Sequence, residues 1–164
     1  MKLTLRSHQL TSTGSLAAGM ALLLAIFSCV NQSDPELAAY VDFRKIHRDD
    51  LDMAFRAVPD NQKMKLFFGA MKLEPPDLAV ESLIANQNYP FLVKLRARIA
   101  ERGNFVETYS FNNAVIEMRG NGRISRSQID SLQLQGLCSI TNANLALCNH
   151  QIALAQGDHD PNAP

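Results

Sequence analysis

The stretch Asn88–Gly103, NYPFLVKLRARIAERG, decides how this chain is read. Asn88 precedes Pro90, and a proline this early suits the first turn of a helix, where a missing N–H leaves no bond unmade. No breaker follows before Arg102. Gly103 then supplies a residue that can turn left-handed and stop the helix. A helix reaching Arg102 is predicted, with Lys94, Arg98 and Arg102 spaced along one side of it and Arg96 elsewhere around it.

The same punctuation recurs upstream. Ser33-Asp34-Pro35-Glu36 has the form of a capping box, in which the Ser hydroxyl accepts from a free amide and the Glu reaches back. It would open a helix running to about His47, with Leu37, Tyr40, Val41 and Arg44 at helical spacing. Asp49 or Asp50 restarts a helix with Leu51, Ala54, Phe55 and Val58 on one side, and Pro59 ends it. Asp60 can cap a third helix carrying Met64, Phe67, Phe68 and Met71. Pro75-Pro76 breaks the chain, and Asp77 stands near the start of a fourth helix reaching Ala85. Residues 34–102 therefore read as five helical segments with short connections, the pattern of a small all-α bundle.

Downstream the signals are mixed. Phe105 to Phe111 contains Val106, Thr108 and Tyr109, which allows a short strand near 105–111; residues 109–118 equally allow a helix. Gly120-Asn121-Gly122 is a turn. Ser125 to Leu134 and Asn142 to Ala155 both allow helices. From Gly157 the chain is polar, a disordered tail over 157–164 with nothing to bury.

The composition fits one folded domain. The 164 residues carry 16 Lys+Arg and 16 Asp+Glu, with 46% hydrophobic and 20% charged residues. That is ordinary globular usage and argues against a disordered chain. Zero net charge argues against a protein that coats nucleic acid, so nucleic acid is not an expected partner.

The first residues read as an address. Lys2 and Arg6 precede residues 16–27, LAAGMALLLAIF, with no acid among the first fifteen. A basic start and an apolar run of this length match a secretory signal peptide, and the run is short for a membrane span. It ends in Ile26-Phe27-Ser28-Cys29, which resembles the lipobox of bacterial lipoproteins: an aliphatic residue three before the Cys, a small residue just before it, and the Cys itself. Phe27 is bulkier than the residue usual there. The resemblance implies that residues 1–28 are removed, that Cys29 is lipidated, and that 29–33 tether a helical domain over 34–156. In that family the residue after the Cys can govern membrane retention. Val30 is not the retaining Asp, which favours the outer membrane.

Three cysteines are an odd number for an exported chain. Lipidation of Cys29 would leave Cys138 and Cys148 as a pair, and in an oxidising periplasm these could form a disulfide.

Candidate sites are few. The segment Glu117–Gln128, EMRGNGRISRSQ, aligns with a calcium-binding EF-hand loop. Arg119 places a positive charge at a ligand position, however, and Gln128 cannot supply two carboxylate oxygens, so it reads as a helix–turn–helix connection. Asp49, Asp50 and Asp52 read as a helix start stabilised by the dipole. No metal and no cofactor is implied. No nucleophile motif such as G-x-S-x-G, S-x-x-K or H-E-x-x-H occurs, so no catalytic residue is assigned.

Two binding candidates remain. Met64, Phe67, Phe68 and Met71 form a stripe that normally faces a core; exposed, it would suit a partner groove. Lys94, Arg98 and Arg102 form a solvated cationic face or a site for an acidic protein or anionic lipid head groups.

The expectation is an envelope lipoprotein facing the periplasm. It would be membrane-anchored and act as a non-enzymatic module for another envelope or incoming protein, as an assembly accessory or an inhibitor of the effector-immunity kind. The alternatives are a peptidoglycan-directed hydrolase using Glu101 or Glu107, and a purely structural envelope lipoprotein. A hydrolase of that class needs two carboxylates held across the scissile bond.

Overall fold

The computed structural model describes residues 34–157. The signal segment, Cys29, the tether, Ser33 of the capping box and residues 158–164 of the tail lie outside the described residues. The described part is all-helical. Nine helices follow one another: α1 (Pro35–Ile46), α2 (Leu51–Ala57), α3 (Asp60–Met71), α4 (Ala79–Ala85), α5 (Tyr89–Arg102), α6 (Phe105–Gly120), α7 (Arg126–Ser131), α8 (Leu134–Ile140) and α9 (Leu145–Gln156). None of them is long and apolar enough to cross a membrane.

Local chemistry sets the ends of the longer helices. The Asn88 side chain accepts from the Phe91 amide at the start of α5, with Pro90 in the first turn. Gly103 adopts φ 65° and its N–H returns to the Ile99 carbonyl, which closes the helix. α3 ends at Met71, before the Pro75-Pro76 break, and α4 follows Asp77.

α1 and α3 make the most extensive helix pair. Tyr40 and Phe43 of α1 face Leu66, Phe67 and Phe68 of α3 within one core. Phe55, Ile84, Phe91, Leu92, Leu95 and Ile99 join that core from α2, α4 and α5, and Phe111, Val115, Met118, Ile129, Leu134, Leu137 and Ala155 join it from α6 to α9. The far side of α4 and α5 is covered by α6.

The strand considered near 105–111 is not formed; those residues open the sixteen-residue helix α6. Two forces override the strand formers. Asn104 caps the helix, accepting from the Val106 and Glu107 amides at 2.8 and 3.2 Å. Phe111, Ala114, Val115 and Met118 then recur at helical spacing and are fully buried.

The helix allowed from Ser125 to Leu134 is broken in two. A capping box of Ser125 and Gln128 starts α7, and Gln133 at φ 49° separates it from α8. The carbonyls exposed by the break are met from α5, where Arg96 donates to Leu132 O at 3.0 Å and Gln133 O at 3.4 Å. α9 begins later than Asn142, after the Asn144 side chain accepts from the Leu147 amide. Cys138 on α8 and Cys148 on α9 are joined by a disulfide with a Cα–Cα distance of 6.3 Å. With Ala143 they form a small apolar cluster of their own.

Candidate functional site

The cationic stripe of α5 is present, and each member meets an acid. Lys94 Nζ lies 2.7 Å from Asp60 Oδ2, and Arg98 Nη1 lies 2.6 Å from Glu101 Oε2. Arg102 is held most closely. Its Nε donates to both Glu107 oxygens at 2.9 and 3.1 Å, its outer nitrogens reach Glu36 at 3.2 Å, and its guanidinium lies 4.0 Å over the Phe68 ring. Glu36 also receives Lys72 Nζ at 2.6 Å. This stripe is a balanced ion-pair network that ties α5 to α1, α3 and α6.

Burial pushes the Glu107 carboxyl above its ordinary value, and the bonds and charge of Arg102 offset part of that rise. For Arg102, burial works against the charge, and Glu107 and Glu36 outweigh it, so the guanidinium is held more firmly protonated. The two carboxylates considered for glycan cleavage are thus engaged by different guanidiniums, Glu101 by Arg98 and Glu107 by Arg102.

The Met/Phe stripe is core and not an open docking face. Phe67, Phe68 and Met71 are 0%, 4% and 7% exposed, and Met64 packs partly buried against them. The physical reason is the position of α3 between α1 and the rest of the bundle, which leaves its apolar side no solvent to face.

The segment from Glu117 to Gln128 is a helix–turn–helix connection. Glu117 accepts from Ser82 Oγ at 2.9 Å, Asn121 follows the end of α6, Gly122 takes φ 67°, and Gln128 completes the capping box of α7. Asp50 meets His47 Nδ1 at 3.2 Å. Asp52 pairs with Arg56 at 2.6 Å and accepts from Asn86 at 3.0 Å. Among the described residues no group of three or more His, Cys, Asp or Glu side chains is placed to hold a metal ion.

A second polar seam was not legible beforehand. Glu81 on α4 accepts from Asn113 Nδ2 at 3.3 Å. Burial, and then the nearby charge of Glu117, raise the Glu81 carboxyl, while the hydrogen bond from Asn113 restrains the rise. Gln151 Nε2 donates onward to Asn113 Oδ1 at 2.6 Å and to the Tyr109 carbonyl at 3.1 Å. Asn112 donates to Gln151 Oε1 at 3.2 Å and approaches Cys148 Sγ at 3.4 Å. The seam joins α4, α6 and α9 beside the disulfide. Its members lie far apart in the chain, and only the packing of α6 against α4 and α9 brings them together.

A ligand-sized opening lies elsewhere among the described residues, on α1. A groove of about 480 Å³ is lined by Tyr40, Val41, Arg44, Lys45, Arg48, Leu51 and Leu73. Helical spacing puts Val41, Arg44 and Lys45 on one side of α1, Arg48 joins them from the turn that follows, and Leu51 and Leu73 contribute apolar walls from the start of α2 and just past the end of α3. Asp77 anchors its inner end. The Tyr40 hydroxyl donates to Asp77 Oδ2 at 2.5 Å, Arg44 pairs with the same oxygen, and Asp77 Oδ1 accepts from the Ala79 amide. Asp77 is 12% exposed and Tyr40 is buried. Burial, and then the bond to Asp77 and its charge, keep the tyrosine hydroxyl protonated far above its ordinary range. Lys45 and Arg48 are exposed at the rim. No sequence motif marked this site; the signal was the spacing of Val41, Arg44, Lys45 and Arg48.

No known family model, curated protein or solved structure matches the chain.

Proposed function

We propose that this chain is an envelope lipoprotein whose helical domain is a non-enzymatic protein-binding module held at a membrane surface. Its role would be that of an assembly accessory or an inhibitor of the effector-immunity kind. The groove on α1 is the observation that carries the reading: an opening of ligand size with apolar walls and three cationic side chains. The carboxylates that a wall hydrolase would need, Glu101 and Glu107, are instead engaged in ion pairs. The basic start, the apolar run and the lipobox-like Ile26-Phe27-Ser28-Cys29 support the anchored location, and Val30 supports the outer membrane.

Two measurements on the native protein test the proposal. Intact mass and membrane partitioning should show a lipid-sized increment that Cys29→Ser abolishes. A photo-crosslinking residue at Val41 should join one reproducible envelope or incoming protein, and the same residue at exposed Arg119 should not. Clearing of cell-wall material that vanishes in Glu101→Gln or Glu107→Gln would overturn the non-enzymatic reading.

A further inference from the structure

We propose that the α1 groove takes an acidic peptide segment of the partner protein, one that offers an apolar side chain beside its carboxylates. The inference rests on the binding-module reading and specifies the ligand of that site.

Charge complementarity selects the ligand. Three of the lining residues are cationic and none is acidic. Arg44 is already neutralised and oriented by Asp77, so it supplies a fixed donor at the inner end. Lys45 and Arg48 bring two further positive charges to the rim. Asp42 and Asp49 stand on the same chain segment, exposed, and neither lines the groove.

The walls explain why the ligand is a peptide. Val41 is 46% exposed, and Leu51 and Leu73 are only partly buried. A free inorganic anion would leave those walls wet. An anionic membrane would be met best by protruding apolar side chains flanked by cations, whereas this surface is concave. A short acidic segment satisfies both the walls and the rim: one apolar side chain enters between Val41, Leu51 and Leu73, and flanking carboxylates meet Lys45 and Arg48.

The test uses the mature full chain and fluorescence anisotropy with three probes. These are a labelled peptide of alternating glutamate and leucine, its glutamine counterpart, and phosphatidylglycerol vesicles. Saturable binding of the glutamate peptide is expected, weaker at high salt and stronger than that of the glutamine peptide. The double variant Lys45→Glu/Arg48→Glu should weaken it by about tenfold or more, the scale of two exposed ion pairs lost. Both side chains are exposed, so helix content should be unchanged. Val41→Asp should weaken binding from the apolar side, and Arg119→Glu, outside the groove, should not. Equal affinity for the glutamine peptide, binding indifferent to the groove variants, or binding to vesicles alone would overturn the proposal. The binding-module reading fails by a different readout, wall clearing that depends on Glu101 or Glu107.

Discussion

The backbone of Glu36 passes so close to Gly69 that a Cβ built on Gly69 would lie 2.1 Å from the Glu36 carbonyl oxygen and 2.8 Å from Tyr40 Cβ. α1 rests on α3 at that point, and only a residue without a side chain lets it. The closeness matters for function as well as stability, because Tyr40 and Arg44, one and two turns further along α1, form the inner end of the groove.

Gly69→Ala is therefore expected to destabilise the domain. The obstacle is backbone, so α1 must move away from α3. Overpacking of this kind costs about 1–3 kcal/mol, against roughly 1 kcal/mol of helix propensity gained. Gly120, at the end of α6, has nothing within 4 Å of the same built atom. Gly120→Ala should leave stability unchanged or raise it by up to about 1 kcal/mol. Urea unfolding of both variants checks the opposite signs. Equal midpoints would mean that the α1–α3 contact is not under steric control.

Arg102→Met is the second informative change. Methionine keeps much of the volume over Phe68 but leaves Glu107, 3% exposed, without its cation. Removing one partner of a fully buried pair costs about 3–5 kcal/mol. Here Arg102 is 32% exposed, so a loss of about 2 kcal/mol is expected. Adding Glu107→Gln to Arg102→Met should recover part of it, because the stranded charge disappears. A double variant that is less stable than Arg102→Met by the full effect of Glu107→Gln alone would show that the two residues are not coupled.

The bundle was legible where its signals are local. Asn88, Pro90 and Gly103 act within one helical turn, and the observed ends of α5 follow them. Phe105–Phe111 was ambiguous because its strand formers are local, while the burial of Phe111, Ala114, Val115 and Met118 is decided by the packing of α6. The break between α7 and α8 depends on Arg96, 36 residues upstream of Leu132. The spacing of Lys94, Arg98 and Arg102 was visible, and so was Glu101 one turn from Arg98, yet the long-range acids that meet Lys94 and Arg102 were not. Asp60 lies 34 residues from Lys94, and Glu36 lies 66 from Arg102. The α1 groove needed Leu73 and Asp77, which reach Tyr40 and Arg44 only through the fold.

Glu81 predicts a pH dependence with a defined sign. Its folded carboxyl is raised by burial and by Glu117, so the folded state holds a proton more tightly than the unfolded chain does. Its contribution is fully present below the ordinary carboxyl range and is lost as pH rises through the folded value. Glu81→Gln should flatten the fall in stability across the weakly acidic range, and at neutral pH it should equal or exceed the parent. Denaturant midpoints measured from pH 4 to 7 would show this. A variant whose pH profile runs parallel to the parent would assign the slope to other groups.

The disulfide supplies the last prediction. Cys138 and Cys148 are ten residues apart, and closing a loop of that length stabilises by about 2.7 kcal/mol in the chain-entropy view. Reduction, or the double change Cys138→Ser/Cys148→Ser, should lower stability by that order. The loss should fall first around the connection between α8 and α9, where Cys138, Ala143 of the intervening turn and Cys148 form the small cluster. Leu134, Leu137 and Ala155 tie the rest of α8 and α9 to the larger core, which also holds Tyr40 and Phe43 of α1. Hydrogen exchange should show faster opening of the facing ends of α8 and α9 beside the disulfide under reductant, with α1, α3 and α5 still protected. Mass spectrometry of the oxidised protein should give a mass about two daltons below the reduced form, one hydrogen lost from each thiol when the S–S bond forms. Alkylation of both cysteines without reductant would show that they are free thiols and overturn the covalent link. Uniform loss of protection across all helices on reduction would instead show that α8 and α9 open only with the whole bundle.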